Sequence, residues 1–126
     1  MKDFRRLSVW DRAHHLTLEI YKVTSKFSRD ELYGITSQMR RSSASIAANI
    51  AEGCGRTGNG EFHRFLNTAA GSANELEYFL LLSRDLKFLS EESYDDLQAR
   101  VSEVERMLAS LLRKVSDALR LQTASC

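Results

Sequence analysis

The run Gly53-Cys-Gly55-Arg-Thr-Gly58 has the glycine spacing of a dinucleotide-binding turn, GxGxxG. That turn works only between a strand and a helix, where its backbone approaches a pyrophosphate at the helix N-terminus. Here a helical pattern precedes the glycines, so they read as a helix stop at Gly53, a flexible turn and the entry to the next helix. Backbone N–H groups at that entry, with Arg56 and Arg64, have the chemistry to hold a phosphate. His15 and Glu19 are i,i+4 neighbours beside His14, but a di-iron bundle needs Glu-x-x-His on two helices, and no Glu-x-x-His occurs in this sequence. These histidines read as surface or interface residues. Ser42, Ser43 and Ser45 have no local His or Lys to activate them, and suit close helix packing. Cys54 stands in the glycine loop beside Arg56, a cation that would lower a thiol pKa. The paired acids Glu75/Glu77 and Asp95/Asp96 read as solvated faces.

Two basic groups remain. Arg40, Arg41, Arg56 and Arg64 are spread over one helix, the glycine loop and the following helix; Arg5, Arg6 and Arg12 lie near the N-terminus. With a net charge of +1 the chain has no overwhelming basic field, so nucleic-acid contact must come from a local patch or from repetition by symmetry. Charge is uneven: residues 1–30 hold seven Lys/Arg against four acids, and residues 91–126 hold seven acids against five Lys/Arg.

The elements that must position these groups are helices. There is no proline, and four of the six glycines fall within residues 53–60, so little punctuates the chain elsewhere. Val9, Ala13, Leu16, Ile20, Val23 and Phe27 recur at spacings of 4, 3, 4, 3 and 4, one face of a first helix over 8–27. Ser28-Arg-Asp-Glu31 has the form of a capping box opening a second helix over 30–53, with core positions Ile35, Met39, Ser42, Ser43, Ile46 and Ile50. A third over 60–87 carries Phe62, Phe65, Leu66, Ala69, Ala73, Leu76 and Leu80. A fourth over 91–119 carries Tyr94, Leu97, Val101, Val104, Leu108, Leu111 and Val115, with Glu91 and Glu92 suited to its positive end.

Long helices on short connections alternate in direction, which predicts one all-α domain over 1–126: an antiparallel, up-and-down four-helix bundle. Two stripes exceed what a monomeric bundle must bury. One is the alanine stripe Ala44, Ala47, Ala48 and Ala51; the other is Tyr78-Phe79-Leu80-Leu81-Leu82, apolar all round. Ala44, Ala47, Ala51, Tyr78, Phe79 and Leu82 are therefore the expected oligomer interface. Gln38, Ser45, Asn49 and Glu52 share a flank of the second helix; half-buried polar groups there need partners, and Gln38, Asn49 and Glu52 are expected to set packing register, the alternative being that the flank lines a functional surface. No run approaches the roughly 20 apolar residues of a membrane span, no secretory signal is visible, and Cys54 and Cys126 form neither a disulfide framework nor a zinc pattern. The expected compartment is the cytoplasm.

The run from Gln38 to Gly53, Gln-Met-Arg-Arg-Ser-Ser-Ala-Ser-Ile-Ala-Ala-Asn-Ile-Ala-Glu-Gly, closely resembles the signature of bacterial four-helix bundle proteins first noted as reading frames in 23S rRNA intervening sequences. The resemblance extends through Trp10, Ala13, Tyr21 and Phe27, Glu61-Phe-His-Arg-Phe-Leu66 and Gly71-Ser-Ala-Asn-Glu-Leu76, covering about residues 4–115. It departs at Phe27-Ser28, where the family usually has Phe-Pro. The resemblance implies a cytosolic bundle that assembles as a ring, most often a pentamer. The chain is also similar to the accessory protein of diversity-generating retroelements, whose pentamer engages a reverse transcriptase and nucleic acid through basic surfaces. This implies a nucleic-acid role for Arg40, Arg41, Arg56 and Arg64, and carries over no catalytic residue, cofactor or metal. The expected function is a non-enzymatic homo-oligomeric scaffold that binds RNA, DNA or a ribonucleoprotein partner without sequence specificity, the alternative being a protein–protein adaptor.

Overall fold

A computed structural model of the chain describes residues 2–124; Met1, Ser125 and Cys126 lie outside it. It holds four long helices: α1 (Ser8–Thr24), α2 (Ser37–Cys54), α3 (Asn59–Asp85) and α4 (Glu91–Ala124). No strand occurs among the described residues, and no helix there is long and apolar enough to cross a membrane.

Contacts between helices run in opposite numerical order, which fixes the up-and-down topology. Between α1 and α2, Thr17 Oγ1 donates to the Ser43 carbonyl at 3.1 Å and Arg40 Nε to Thr24 Oγ1 at 2.9 Å. Between α2 and α3, Ser45 meets Ser72 at 2.8 Å and Arg41 meets Glu75 at 2.5 Å. Between α3 and α4, Gln98 donates to Glu77 at 2.7 Å, and Ser116 meets His63 at 3.2 Å. Arg12 of α1 pairs with Glu103 of α4 and closes the circuit.

The predicted apolar faces make the core. Leu16, Ile20, Met39, Ile46, Ile50, Phe62, Leu66, Leu76, Leu80 and Leu108 are almost wholly buried. Truncating Ile46 or Leu76 to alanine should cost about 2–5 kcal/mol, because the close-packed surroundings cannot collapse into the void. Ser42 and Ser43 are buried and return their hydroxyls to the Met39 and Arg40 carbonyls. Small side chains with satisfied hydroxyls let α2 approach its neighbours.

Helix ends depart from expectation in four places. The first helix stops at Thr24, not at residue 27. The Thr24 and Ser25 hydroxyls take the Ile20 and Lys22 carbonyls, a local competition that favours ending a helix. Ser28 caps only the single turn Arg29–Glu31, accepting from the Asp30 N–H. The chain then makes a wide turn over Leu32–Thr36, interrupted at Gly34 (φ −113°, ψ −116°), and regular α2 begins at Ser37. A residue without Cβ adopts that non-helical conformation cheaply, which defeats the capping-box expectation for a helix from residue 30.

Gly53 is not the helix stop either. It lies buried inside α2, and a Cβ there would come within 2.9 Å of Phe65 Cβ and 3.1 Å of Phe62 Cδ1. Its role is close approach of α2 to α3, and Gly55 terminates the helix. Gly58, at φ +85°, makes the left-handed step into α3 that side chains resist.

The fourth helix outlasts expectation, running 34 residues to Ala124. Its pairing with α3 places Ser116 beside His63, so its last turn projects beyond Asn59, the first residue of α3.

Candidate nucleic-acid interface

The four arginines expected to contact nucleic acid fall into different environments. Arg64 Nε donates to Glu61 at 3.0 Å, and Arg56 donates to Glu52 at 2.6 Å. Both guanidiniums lie over the Phe65 ring, at 4.4 and 5.2 Å from its centroid. The Arg64 bond holds the Glu61 carboxyl below its ordinary range and raises the Arg64 pKa in turn. Arg41 reaches Gln38 Oε1 at 2.8 Å and Glu75 across α3. These three cations are exposed yet already matched by carboxylates. Exposed pairs are weak, so a phosphate could still compete for the arginine.

Arg40 differs. Its Nε donates to Thr24 Oγ1, and its guanidinium lies 4.7 Å from the Tyr21 ring centroid. Among the described residues neither Arg40 nor Arg29 has a carboxylate within ion-pair distance. The N-terminal group is dispersed: Arg12 is bound to Glu103, Arg5 lies 3.6 Å from Asp3 and over Phe4, and Arg6 is exposed on the turn Phe4–Arg6.

Two contiguous grooves meet at Arg40. One, of about 400 Å³, is lined by Tyr21, Leu32, Tyr33, Thr36, Ser37, Arg40 and Arg41. The other, of about 340 Å³, shares Leu32, Thr36 and Arg40 and adds Thr24, Ser25, Phe27, Ser28 and Arg29. Among the described residues no carboxylate lines either groove.

The polar flank of α2 is divided. Asn49 Nδ2 donates to the carbonyl and hydroxyl of Ser45, whose hydroxyl touches Ser72 of α3. Gln38 serves Arg41, and Glu52 is an exposed partner of Arg56. The alanine stripe is divided too: Ala47 belongs to the core of its own chain, Ala44 and Ala51 are half-buried, and Ala48 is exposed. Phe79 and Leu82 pack partly against the core, whereas Tyr78 and Leu81 are 56% and 38% exposed.

Cys54 is not in a flexible loop. It is the last residue of α2, 1% exposed, and burial raises its thiol pKa despite the nearby Lys2. His15 Nδ1 lies 2.8 Å from the Asp11 carbonyl, and His14 stacks on Trp10 at 5.1 Å.

Glu77 is not on a solvated face. It is half-buried against α4, accepts from Gln98, and hydrogen-bonds to Glu105, whose pKa burial and this second carboxylate push up to about 7. The signal was present as Gln98, Ser102 and Glu105, which follow at i, i+4 and i+7 beside the core positions Val101 and Leu108. The Ser116–His63 contact joins residues 53 apart, beyond any local motif.

A family model described as 23S rRNA-intervening sequence protein matches residues 5–110. Among solved structures, a protein of unknown function from the S23 ribosomal protein family of Bacteroides thetaiotaomicron is similar at 28% identity and a TM-score of 0.75. The similarity covers 82% of this chain and 97% of that one. Among curated proteins there is no significant match.

Proposed function

Because the chain belongs to the 23S rRNA-intervening sequence protein family, we propose that it is a non-enzymatic scaffold that assembles with copies of itself and holds nucleic acid through phosphate contacts, without reading sequence. The observation that carries this reading is the charge of Arg40 and Arg29, uncompensated among the described residues, around grooves that no described carboxylate lines. Arg41, Arg56 and Arg64 add exposed cations whose carboxylate partners a phosphate can replace. Repetition of this patch in a closed ring would build a strong field from a chain of net charge +1. Chemistry has weaker support. Ser116 touches His63, but the neighbouring Asp117 is engaged by Arg120 and not by the histidine.

A salt titration tests the reading: binding of RNA and DNA should weaken linearly on logarithmic axes as salt rises, with little difference between sequences. Absence of binding at low ionic strength would end it. The second reading, a protein–protein adaptor, is favoured by exposed Tyr78 and Leu81, two large apolar residues one helical turn apart. Charge substitutions at these two positions would then abolish partner capture and leave nucleic-acid binding intact.

A further inference from the structure

Thr36 is buried, and among the described residues its hydroxyl has no hydrogen-bond partner. Thr17, Thr24, Thr68 and Thr123 each donate to the carbonyl four residues earlier, as a regular helix allows. Thr36 lacks that bond because the chain bends just before it. A single residue makes the bend. Within Leu32–Thr36 only Gly34 leaves the helical region, while Leu32 (φ −57°, ψ −44°) and Thr36 (φ −59°, ψ −52°) keep ordinary helical dihedrals. Turning Gly34 from φ −113°, ψ −116° to helical values of about −63° and −42° would join Arg29–Tyr33 to α2 as one helix. The Leu32 carbonyl would then stand where the Thr36 hydroxyl can reach it.

The apolar pattern is already that of the straight form. Leu32, Ile35 and Met39 continue the core stripe of α2 at spacings of 3 and 4, yet Leu32 is 39% exposed in the bent form. Ser83 of α3 touches Met39, and just beyond it Leu86 and Phe88 are 51% and 37% exposed. On a straight α2, Leu32 would extend at the same end of the bundle as these two apolar side chains. The bent form has its own contact, Phe27 against Phe88 with ring centroids 5.7 Å apart, which straightening must give up. The unpaired hydroxyl and this aromatic contact each weigh roughly tenfold in population, and they act in opposite directions.

We infer that Gly34 is a hinge on which Arg29–Tyr33 swings between the bent form and a straight extension of α2, in which Thr36 donates to the Leu32 carbonyl. In the bent form Leu32 and Tyr33 wall the groove at Arg40. In the straight form they leave it, and Arg29, Tyr33 and Arg40, at spacings of 4 and 7, share one helical face. The hinge thereby sets how two cations are presented. That consequence rests on the nucleic-acid reading above; the hinge itself does not.

The test uses the whole isotope-labelled chain, with carbon chemical shifts at residues 33–35 reading the form and a labelled oligouridylate reading binding. A Cβ at position 34 meets nothing closer than Glu31 Oε1 at 3.5 Å, so alanine fits there. Gly34→Ala should move the population about fivefold towards the straight form and tighten oligouridylate binding by up to the same factor. Adding Thr36→Val to that variant removes the hydroxyl that gains its bond only in the straight form, and should reverse the shift. Non-helical shifts at position 34 in Gly34→Ala overturn the hinge. So does a straight form that Thr36→Val leaves as populated as before. A shifted population with unchanged oligouridylate affinity overturns the link to nucleic acid and leaves the hinge standing. Absence of RNA binding in every variant ends the nucleic-acid reading, while the chemical shifts still decide the hinge.

Discussion

Glu105 of α4 and Glu77 of α3 share a hydrogen bond across the α3–α4 seam, and burial together with this second carboxylate lifts the Glu105 pKa to about 7. The folded chain therefore keeps a proton on Glu105 that the unfolded chain has released above its ordinary value of 4.5. Between these two pH values the native state binds more protons, so this pair makes stability fall as pH rises from about 4.5 to about 7 and level off beyond. Solvent screening of a half-exposed pair limits the effect to on the order of 1 kcal/mol. Glu105→Gln, a permanent mimic of the protonated acid, should remove that slope in denaturant melts recorded from pH 4 to 8. An identical slope in the variant would show that the pair does not share the proton.

The approach of α2 to α3 at Gly53 gives a stability test. Gly53→Ala forces a Cβ against Phe65 and Phe62, and should cost about 1–3 kcal/mol by chemical denaturation. Gly60→Ala, where nothing lies within 4 Å of the new Cβ, should gain roughly 0.5 kcal/mol by restricting the unfolded chain. Equal effects at both positions would contradict the packing geometry.

Releasing arginines should strengthen nucleic-acid binding. Glu61→Gln and Glu75→Gln remove the carboxylates that hold Arg64 and Arg41. Each should raise affinity for RNA several-fold at low ionic strength and steepen the salt dependence by about one phosphate contact. Fluorescence anisotropy across a salt series measures both quantities. An affinity that does not move would remove these two arginines from the interface.

Self-assembly should respond to the outer face of α3. Tyr78→Glu alters a side chain more than half exposed, so its melting temperature should change little. Light scattering at micromolar concentration should then find an oligomeric wild type and a smaller variant. A monomeric wild type would refute assembly.

Cys54 should resist thiol reagents in the native chain and react only on unfolding, since its side chain is buried and its pKa is raised. Rapid native labelling would show that the end of α2 opens readily.

Helical periodicity made α1, α3 and α4 legible, because each buries one stripe at a constant spacing. The start of α2 was not legible. Ser28 does cap a turn, but Gly34 breaks the helix that the capping-box pattern would open, and only the backbone geometry reveals which signal wins. The arginines were found by type and their neutralisation was missed. Glu52–Arg56 and Glu61–Arg64 follow local spacings that a sequence exposes, whereas Arg41–Glu75 needs the α2–α3 pairing. Thr36 carried no sequence signal. An unpaired hydroxyl is defined by what surrounds it, and the surroundings come from elements far apart in the chain.

The overhang of α4 beyond the start of α3 makes the two ends of the bundle unequal. Rotation about a single axis cannot cancel such a difference. In a cyclic assembly whose axis ran along the bundle, every copy would point its overhang the same way, so one rim would carry all the projecting helix ends and the opposite rim none. Such a ring has a front and a back, and a strand or partner laid across it would meet two chemically distinct faces.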